Sequence, residues 1–272
     1  MSPTRRATRR SLARRRVPRA AVLALLLASA TACSNEVAAE WSRGGMPESV
    51  TRQGDIVQSL WNGSWIAALG TGAVVIGLIV WACIFHRKKK HSDQELPPQV
   101  RYNLPIEILY TMVPVIMVAV FFYFTARDQN ELGKITGTAA VKVRVDAFQW
   151  SWRFTTDYNN QKVSVIGRPA SSYQAPEAPE LVLPVGSKVE FDLRSPDVIH
   201  SFWIPAFLFK RDVIPGVENN RFEVDTLTET GVHAGRCAEL CGYDHSRMLF
   251  RVKLVEKAEF DRYIAEQARS TQ

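Results

Sequence analysis

Two long apolar segments constrain this chain more than any other feature of its sequence. The segment 65–85 contains 21 residues, and none of them is charged. The segment 104–124 has the same length and a single acid, Glu107, near its start. At about 1.5 Å per residue, such a helix is about 31 Å long, which matches a hydrocarbon core about 30 Å thick. Each segment is therefore predicted to form a transmembrane helix.

Positive charge orients this pair of helices. The short connection at 86–103 contains the run Arg-Lys-Lys-Lys, and short cytoplasmic loops are enriched in Lys and Arg. We therefore predict a transmembrane hairpin over 61–127 with a cytoplasmic loop at 86–103. The segment 33–60 and everything after Phe124 are then predicted to lie on the external side of the membrane.

The segment 1–32 has the pattern of a secretory signal. Eight arginines precede a short apolar run, and the segment contains no acid. A cationic start, a short apolar run and small residues before a cleavage point are typical of such signals. Cleavage before Cys33 would give an N-terminal cysteine that can be lipidated, whereas cleavage nearby would leave an ordinary N-terminus. The sequence is consistent with both.

The net charge of the chain reflects this signal. The formal charge is +7, from 34 basic and 27 acidic residues. Because eight of the basic residues and none of the acidic ones lie in 1–32, the rest of the chain has a net charge near −1. A basic excess that is removed with the signal does not indicate a nucleic-acid partner.

The region after the second apolar segment has the pattern of short β-strands. Apolar and polar residues alternate at 141–145, 188–193, 221–225 and 250–254. Such alternation places the apolar side chains on one face of a strand, and Pro and Gly separate the segments. We predict an external β-domain over 139–256 with a Greek-key arrangement. A C-terminal helix and tail are predicted at 257–272.

A twelve-residue segment near the C-terminus has the sequence Cys-Ala-Glu-Leu-Cys-Gly-Tyr-Asp-His-Ser-Arg-Met. It contains Cys237, Cys241, His245 and Met248, and a further imidazole lies upstream at His200. Thiolate, imidazole and thioether ligands together favour copper. A mononuclear blue-copper site uses two His, one Cys and an axial Met. The second cysteine therefore indicates two copper ions bridged by two thiolates.

A disulfide between Cys237 and Cys241 is the alternative interpretation of two cysteines in an oxidising compartment. It leaves the positions of His245 and Met248 unexplained, so we favour the metal site.

The metal-binding segment resembles that of subunit II of the haem-copper cytochrome c oxidases, and the resemblance spans most of 55–256. It implies a membrane-anchored all-β protein, in which a two-helix transmembrane hairpin precedes a cupredoxin-like Greek-key β-barrel. It also implies a dinuclear copper centre, CuA. The implied ligands are His200, Cys237, the backbone carbonyl of Glu239, Cys241, His245 and Met248. His233 lies four residues before the first of the two cysteines. The family that this segment resembles gives this position no ligand role, so we interpret it as a structural residue.

The same resemblance implies a role for Trp150. This residue matches the tryptophan that lies between copper and the surface where cytochrome c docks. The local sequence Gln-Trp-Ser-Trp-Arg-Phe also permits ordinary core packing, in which Trp150, Trp152 and Phe154 lie on one face of a strand.

The resemblance also implies roles for three acidic residues. Glu107 matches a glutamate at the mouth of a proton channel into subunit I, although an acid at a helix end needs no function. Asp212 and Glu239 match residues near a magnesium site shared with subunit I. A carboxylate beside the metal loop suits such a hard cation, whereas Asp212 is also consistent with a solvated loop acid.

The implied function is that of an oxidoreductase subunit in a bacterial cell membrane. It accepts electrons from reduced cytochrome c at CuA and relays them to the haems and copper of subunit I, where oxygen is reduced to water with proton pumping. Subunit III and membrane lipid are further implied partners. A copper-delivery protein would need neither the second histidine with methionine nor the hairpin. A subunit II of quinol oxidases would lack the copper ligands.

Overall fold

The structure is a computed structural model, and it describes residues 35–87 and 100–270. The predicted signal, Cys33 and most of the predicted cytoplasmic loop lie outside the described residues. Helix α1 (Asn35–Ser42) belongs to a first unit that ends at Ser42. The other described elements belong to a second unit that begins at Arg43.

Two long antiparallel helices precede the β-domain. Helix α2 is Arg52–Phe85 and helix α3 is Leu104–Leu132, and both are long and apolar enough to cross a membrane. Helix α2 begins 13 residues before the uncharged segment because the Thr51 hydroxyl accepts the N–H of Gly54 (3.0 Å) and caps the helix there. Helix α3 continues for eight residues beyond the second apolar segment. Both helices therefore extend past their apolar segments at the end that meets the β-domain.

The start of α2 is bonded to the β-domain. The backbone N–H of Val50 donates to the carbonyl of Ala206, and the carbonyl of Val50 accepts the N–H of Leu227, both at 3.0 Å. The side-chain oxygen of Gln53 accepts the N–H of Asp225 at 2.8 Å. These bonds fix the position of the helical pair on one end of the β-domain.

The β-domain contains two five-stranded sheets. Their strand orders are β3-β2-β1-β5-β8 and β4-β10-β9-β6-β7. Strands β1 and β5 pair in parallel, as do β4 and β10, and the other neighbours pair antiparallel. The strands are β1 (Val141–Phe148), β2 (Ser151–Tyr158), β3 (Gln161–Ile166), β4 (Glu180–Pro184), β5 (Lys188–Arg194), β6 (His200–Ile204), β7 (Phe209–Val213), β8 (Arg221–Asp225), β9 (Gly231–Cys237) and β10 (Leu249–Val255). The predicted architecture, a pair of apolar helices followed by an all-β domain, is confirmed.

Aromatic side chains fill the space between the two sheets. The rings of Phe202 and Phe250 stack with centroids 5.0 Å apart, and the ring of Trp152 meets Phe250 edge to face at 5.2 Å. Helix α4 (Lys257–Ser270) follows β10 and buries Phe260 and Ile264 against the same core. Burial of each such side chain contributes about 1.5–3 kcal/mol, so this core provides a rigid support for the loops at its end.

We expect Gly235→Ala to destabilise the β-domain. Gly235 lies opposite Phe250 on the neighbouring strand, and a Cβ at this position would overlap the buried Phe250 ring. Because that ring is held by other aromatic side chains, the expected loss is about 1–3 kcal/mol in the free energy of unfolding. Urea unfolding of the detergent-solubilised chain, followed by tryptophan fluorescence, measures this loss.

The control for this substitution is Val232→Ala, an exposed position on the same strand. Surface changes of this kind alter the unfolding free energy by about 0.5 kcal/mol or less. An equal loss in both variants would contradict the close packing of Gly235 on Phe250.

Candidate metal centre

The predicted metal-binding segment connects β9 to β10. The backbone N–H of Cys237 donates to the carbonyl of Met248 at 3.0 Å, which closes the segment at its base. A 3₁₀ turn (His245–Arg247) brings the chain back to β10. Neighbouring strands therefore hold both ends of this metal loop, which we define as residues 237–248.

Strand pairing brings the upstream histidine to this loop. Strand β6 pairs with β9, with Phe202 opposite Cys237, and the N–H of Ala238 donates to the carbonyl of Ser201 at 3.0 Å. His200, at the start of β6, is fully buried, and its Nδ1 lies 3.9 Å from the Cys237 sulfur.

The sulfur and nitrogen atoms of the loop form one compact cluster. The sulfurs of Cys237 and Cys241 are 3.8 Å apart, and the Cys241 sulfur is 3.8 Å from the Met248 sulfur and 3.5 Å from Nδ1 of His245. The carbonyl oxygen of Glu239 is 3.2 Å from the Cys237 sulfur. The structure thus brings all six predicted ligands together. Both cysteines are free, so they form no disulfide.

This donor set fits copper. The ligand atoms of His200, Cys237 and Cys241 all lie within 4.8 Å of one another, in a buried position. Two soft sulfur donors, imidazole and a thioether are the combination that copper prefers. The structure therefore brings together the soft sulfur and nitrogen donors that the sequence predicts for a copper site.

The two thiols differ in their tendency to ionise. Burial alone would raise the pKa of Cys237, but contacts with His200 and hydrogen bonds with the loop lower that pKa to about 7. Burial and the adjacent negative charge of Cys237 raise the pKa of Cys241 to about 12. Near neutral pH, one cysteine of the pair is therefore readily deprotonated, whereas deprotonation of the second costs free energy. A bound cation would offset that cost, because thiols that coordinate a metal are deprotonated.

Asp197 orients the buried histidine, a role that sequence reasoning missed. Its carboxylate lies 2.8 Å from Nε2 of His200 and accepts the N–H groups of Val198 (2.6 Å) and Gln149 (2.7 Å). Burial opposes ionisation of Asp197, but these hydrogen bonds outweigh it and lower the pKa. Burial likewise opposes protonation of His200, but Cys237 and Asp197 raise its pKa. The only sequence signal is an acid three residues before the ligand, the type of partner that orients metal-binding histidines.

The turn between β1 and β2 is bonded to the metal loop. The indole N–H of Trp150 and the side-chain amide of Gln149 both donate to the carbonyl of Cys241, at 3.1 and 2.8 Å. Gly242 has φ of +123°, and a Cβ there would lie 2.9 Å from the Trp150 nitrogen. Glycine therefore allows the indole to contact the loop, because other residues rarely adopt this conformation and would crowd the ring.

Trp150 does not share the environment of the other two aromatics in its segment. It lies in the turn and is only partly buried, whereas Trp152 and Phe154 are fully buried on β2. The indole N–H of Trp152 donates to the carbonyl of Met248 at 3.2 Å. The alternative in which all three lie on one strand face does not hold for Trp150, which lies in the turn before β2 and packs against the edge of the core.

Asp212 lies on β7 of the second sheet, and Glu239 lies in the metal loop that follows β9. Asp212 is exposed on β7 opposite Ser201, and the carbonyl of Ser201 bonds to Ala238, next to Glu239. Two strand spacings, about 10 Å in total, separate β7 from β9, the strand that leads into the metal loop and Glu239. The Glu239 side chain is also exposed.

Glu107 caps helix α3 in the described structure. Its carboxylate accepts the N–H of Asn103 at 3.0 Å, while the Asn103 side chain accepts the N–H of Ile106 at 3.5 Å. Such reciprocal bonds stabilise the start of a helix. His233 is partly buried opposite Val252, away from the sulfur cluster, and burial lowers its pKa.

The β-domain is similar to domains of known proteins. The family described as cytochrome c oxidase subunit II, periplasmic domain, matches residues 141–255. The periplasmic domain of subunit II of cytochrome oxidase from Bradyrhizobium japonicum is 29% identical, with a TM-score of 0.45, over 50% of this chain and 99% of that one.

Full-length relatives extend the match to the helical region. A probable cytochrome c oxidase subunit 2 of Streptomyces coelicolor is 42% identical over 100% of this chain and 93% of its own length. A cytochrome c oxidase subunit 2 of Mycobacterium bovis is 35% identical over 92% of this chain and 81% of its own. On the strength of these matches, the chain belongs to the cytochrome c oxidase subunit II family.

Proposed function

We propose that this chain accepts electrons from reduced cytochrome c at a dinuclear copper centre, CuA, and passes them to subunit I of a haem-copper oxidase. Subunit I reduces oxygen to water with proton pumping. The observation that carries this proposal is the cluster of two cysteines, two histidines and one methionine, in which the two thiol sulfurs are 3.8 Å apart and every member except the partly buried His245 is buried. That spacing suits two sulfurs that bridge the same pair of ions.

The chain would hold two copper ions through His200, Cys237, Cys241, His245 and Met248, together with the carbonyl of Glu239. When bound, such a copper pair takes up and releases one electron at a time. The ligands come from two paired strands and from a loop closed at its base, so the protein restricts their movement. Restricted ligands and fixed outer contacts favour electron transfer over binding of a substrate.

Trp150 provides the route for electrons into this centre. Its indole is partly exposed, and its N–H bonds directly to the carbonyl of Cys241, so a single side chain connects the surface to a ligand residue. A cytochrome c that docks over this indole would place its haem on the short path to the metal loop. The side chain of the neighbouring Gln149 donates a hydrogen bond to the same carbonyl, but it has no aromatic ring.

The remaining assignments extend the same function. Glu107 would lie at the mouth of a proton channel into subunit I, in addition to its capping role. Asp212 and Glu239 would contribute to a magnesium site shared with that subunit. The β-domain would lie on the external side of the membrane, and the helix connection 86–103 would lie in the cytoplasm. Subunit III would be a further partner. Cys33 would be the candidate site of lipidation.

We expect about two copper ions per chain. Two bridging thiolates require two ions, so Cys237→Ser should lose most of the bound copper. Cys83→Ser is the matched control, because Cys83 is exposed on α2 and lies outside the cluster. Elemental analysis of the copper-loaded, detergent-solubilised chain, with electron paramagnetic resonance for a mixed-valence pair, gives the result. A ratio of one copper per wild-type chain would contradict the dinuclear centre.

We expect Met248→Leu to retain copper and raise its reduction potential. Met248 is fully buried, and its sulfur lies 3.8 Å from the Cys241 sulfur. A volume-conserving change costs about 1.5 kcal/mol or less in stability, and the thiolates remain. Loss of a weak axial donor destabilises the more oxidised state, so the potential should rise. Redox titration and copper analysis measure both quantities, and complete loss of copper would rule out a weak axial role.

We expect Trp150→Phe to slow reduction of the centre by cytochrome c while the fold and the copper spectrum stay unchanged. The change keeps most of the apolar volume but removes the indole and its hydrogen bond to Cys241. Stopped-flow absorbance with reduced cytochrome c measures the rate.

Gln149→Leu is the control for this experiment, because it removes the other hydrogen bond to the Cys241 carbonyl and leaves the indole in place. Its reduction rate should stay near that of the wild type. Equal slowing in both variants would show that the indole acts only by holding the loop, and an unchanged rate in Trp150→Phe would remove its role in electron transfer.

A further inference from the structure

Two adjoining cavities lie between helices α2 and α3. The first, which we call the apolar cavity, has a volume of about 420 Å³, and its wall includes Gly63, Ser64, Ala67, Met117, Val120 and Phe121. The second, which we call the charged cavity, has a volume of about 490 Å³, and its wall includes Arg52, Asp55, Arg127, Asp128 and Glu131. Ser59, Arg127 and Asp128 line both cavities, so the two are continuous.

The depth of these cavities matches the layers of a lipid bilayer. Arg127 lies three residues beyond Phe124, the last residue of the apolar segment, or about 4.5 Å along the helix axis. The headgroup layer adds about 5–7 Å on each side of the hydrocarbon core. Arg127 also lies over the Phe124 ring, 4.9 Å from its centroid, as expected where a membrane helix leaves the hydrocarbon. On α3 the charged cavity therefore begins at headgroup level and the apolar cavity lies at acyl-chain level. On α2 the residues of both cavities from Arg52 to Ser64 precede the apolar segment 65–85, so the charged cavity extends outward from the headgroup layer.

The charged cavity contains both signs of charge. Arg127 pairs with Asp128 at 2.8 Å and Arg52 pairs with Glu131 at 3.2 Å, yet the two arginine side chains remain 57% and 56% exposed. A guanidinium has five N–H donors, so each arginine retains donors for a phosphate. The three carboxylates in this wall can accept hydrogen bonds from an ammonium group. With three acids against two arginines, the wall disfavours a purely anionic ligand.

We propose that the two cavities bind one zwitterionic phospholipid, with an acyl chain in the apolar cavity and an amine-bearing headgroup in the charged cavity. Its phosphate would accept N–H groups of Arg52 and Arg127, and its ammonium would donate to the carboxylates beside them. Arg52 also pairs with Asp225 of β8 at 3.1 Å. The lipid would therefore stabilise the junction between the membrane helices and the β-domain.

Native mass spectrometry of the delipidated, detergent-solubilised full chain tests this site. The ligands are dioleoyl phosphatidylethanolamine, dioleoyl phosphatidylglycerol and dioleoylglycerol, which share acyl chains and differ in the headgroup. We expect one saturable phosphatidylethanolamine per chain. We expect dioleoylglycerol to bind about tenfold more weakly or worse, because it lacks the charged hydrogen bonds of the phosphate. Phosphatidylglycerol should be intermediate, since it lacks the ammonium.

Two glycines of α2 offer a matched pair of variants. A Cβ at Gly63 or at Gly72 meets nothing within 4 Å, so leucine fits the helix at both positions. Gly63 lines the apolar cavity, and Gly72, nine residues on, faces the opposite side of the helix at 3.6 residues per turn. Gly63→Leu should weaken phosphatidylethanolamine binding about tenfold, and Gly72→Leu should leave it unchanged. Arg127→Gln should weaken both phospholipids but not dioleoylglycerol.

Three outcomes would overturn the proposal. The first is equal, non-saturable binding of all three lipids, and the second is an equal effect of the leucine at the two glycine positions. The third is a Gly63→Leu chain that binds lipid normally but no longer associates with subunit I, since a partner helix would then cover the cavity. If Gly63→Leu does not fold, Arg127→Gln gives the decisive result, and unchanged phospholipid binding in that variant refutes the headgroup site.

Discussion

The metal centre depends on one backbone hydrogen bond, from the N–H of Cys237 to the carbonyl of Met248. This bond continues the antiparallel ladder of β9 and β10 to the base of the metal loop. The twelve residues of the loop must therefore return to their starting point, which gathers the sulfur atoms. The pairing of β6 with β9 then adds His200 from the side. Because the ladder is rigid, the ligand positions depend on the sheet more than on the loop itself.

The surroundings of the cluster explain why the loop has one conformation. The carbonyl of Cys241 accepts two side-chain donors from the β1–β2 turn, and the carbonyl of Met248 accepts the indole of Trp152. Buried carbonyls that lacked such partners would cost about 1–3 kcal/mol each. The first sheet thus holds the loop of the second sheet, and the indole of Trp150 supports the loop from a partly exposed turn.

The membrane helices are not independent of this domain. Helix α2 begins at residues bonded to β8 and to the segment after β6, and Arg52 forms ion pairs with both Glu131 of α3 and Asp225 of β8. Exposed ion pairs contribute little singly, but these contacts converge on one junction. A phospholipid bound in the cavities beside Arg52 would add a further set of charged contacts there, and it would link the lipid bilayer to the position of the copper domain.

Much of this protein could be predicted from its local residue types and from the lengths of its apolar segments. The donor types and their spacing in the metal loop can be read from a short stretch of sequence. The same is true of the alternation in the strands and of the length of the apolar segments. The two helices extend beyond their apolar segments because caps and contacts with the β-domain, rather than hydropathy, define their ends at the junction. Such contacts involve residues far apart in the sequence, so hydropathy alone could not predict them.

The sequence by itself determined which metal the site suits, since residue types alone specify soft donors. It also determined that two helices can cross a membrane and that a β-domain follows them. Only the tertiary structure decided that His200, 37 residues from Cys237, meets its sulfur, that Asp197 orients the imidazole and that Trp150, in a turn at the edge of the core, contacts the loop. The physical reason is strand pairing, which makes neighbours of residues that the chain separates and which depends on the whole register of a sheet.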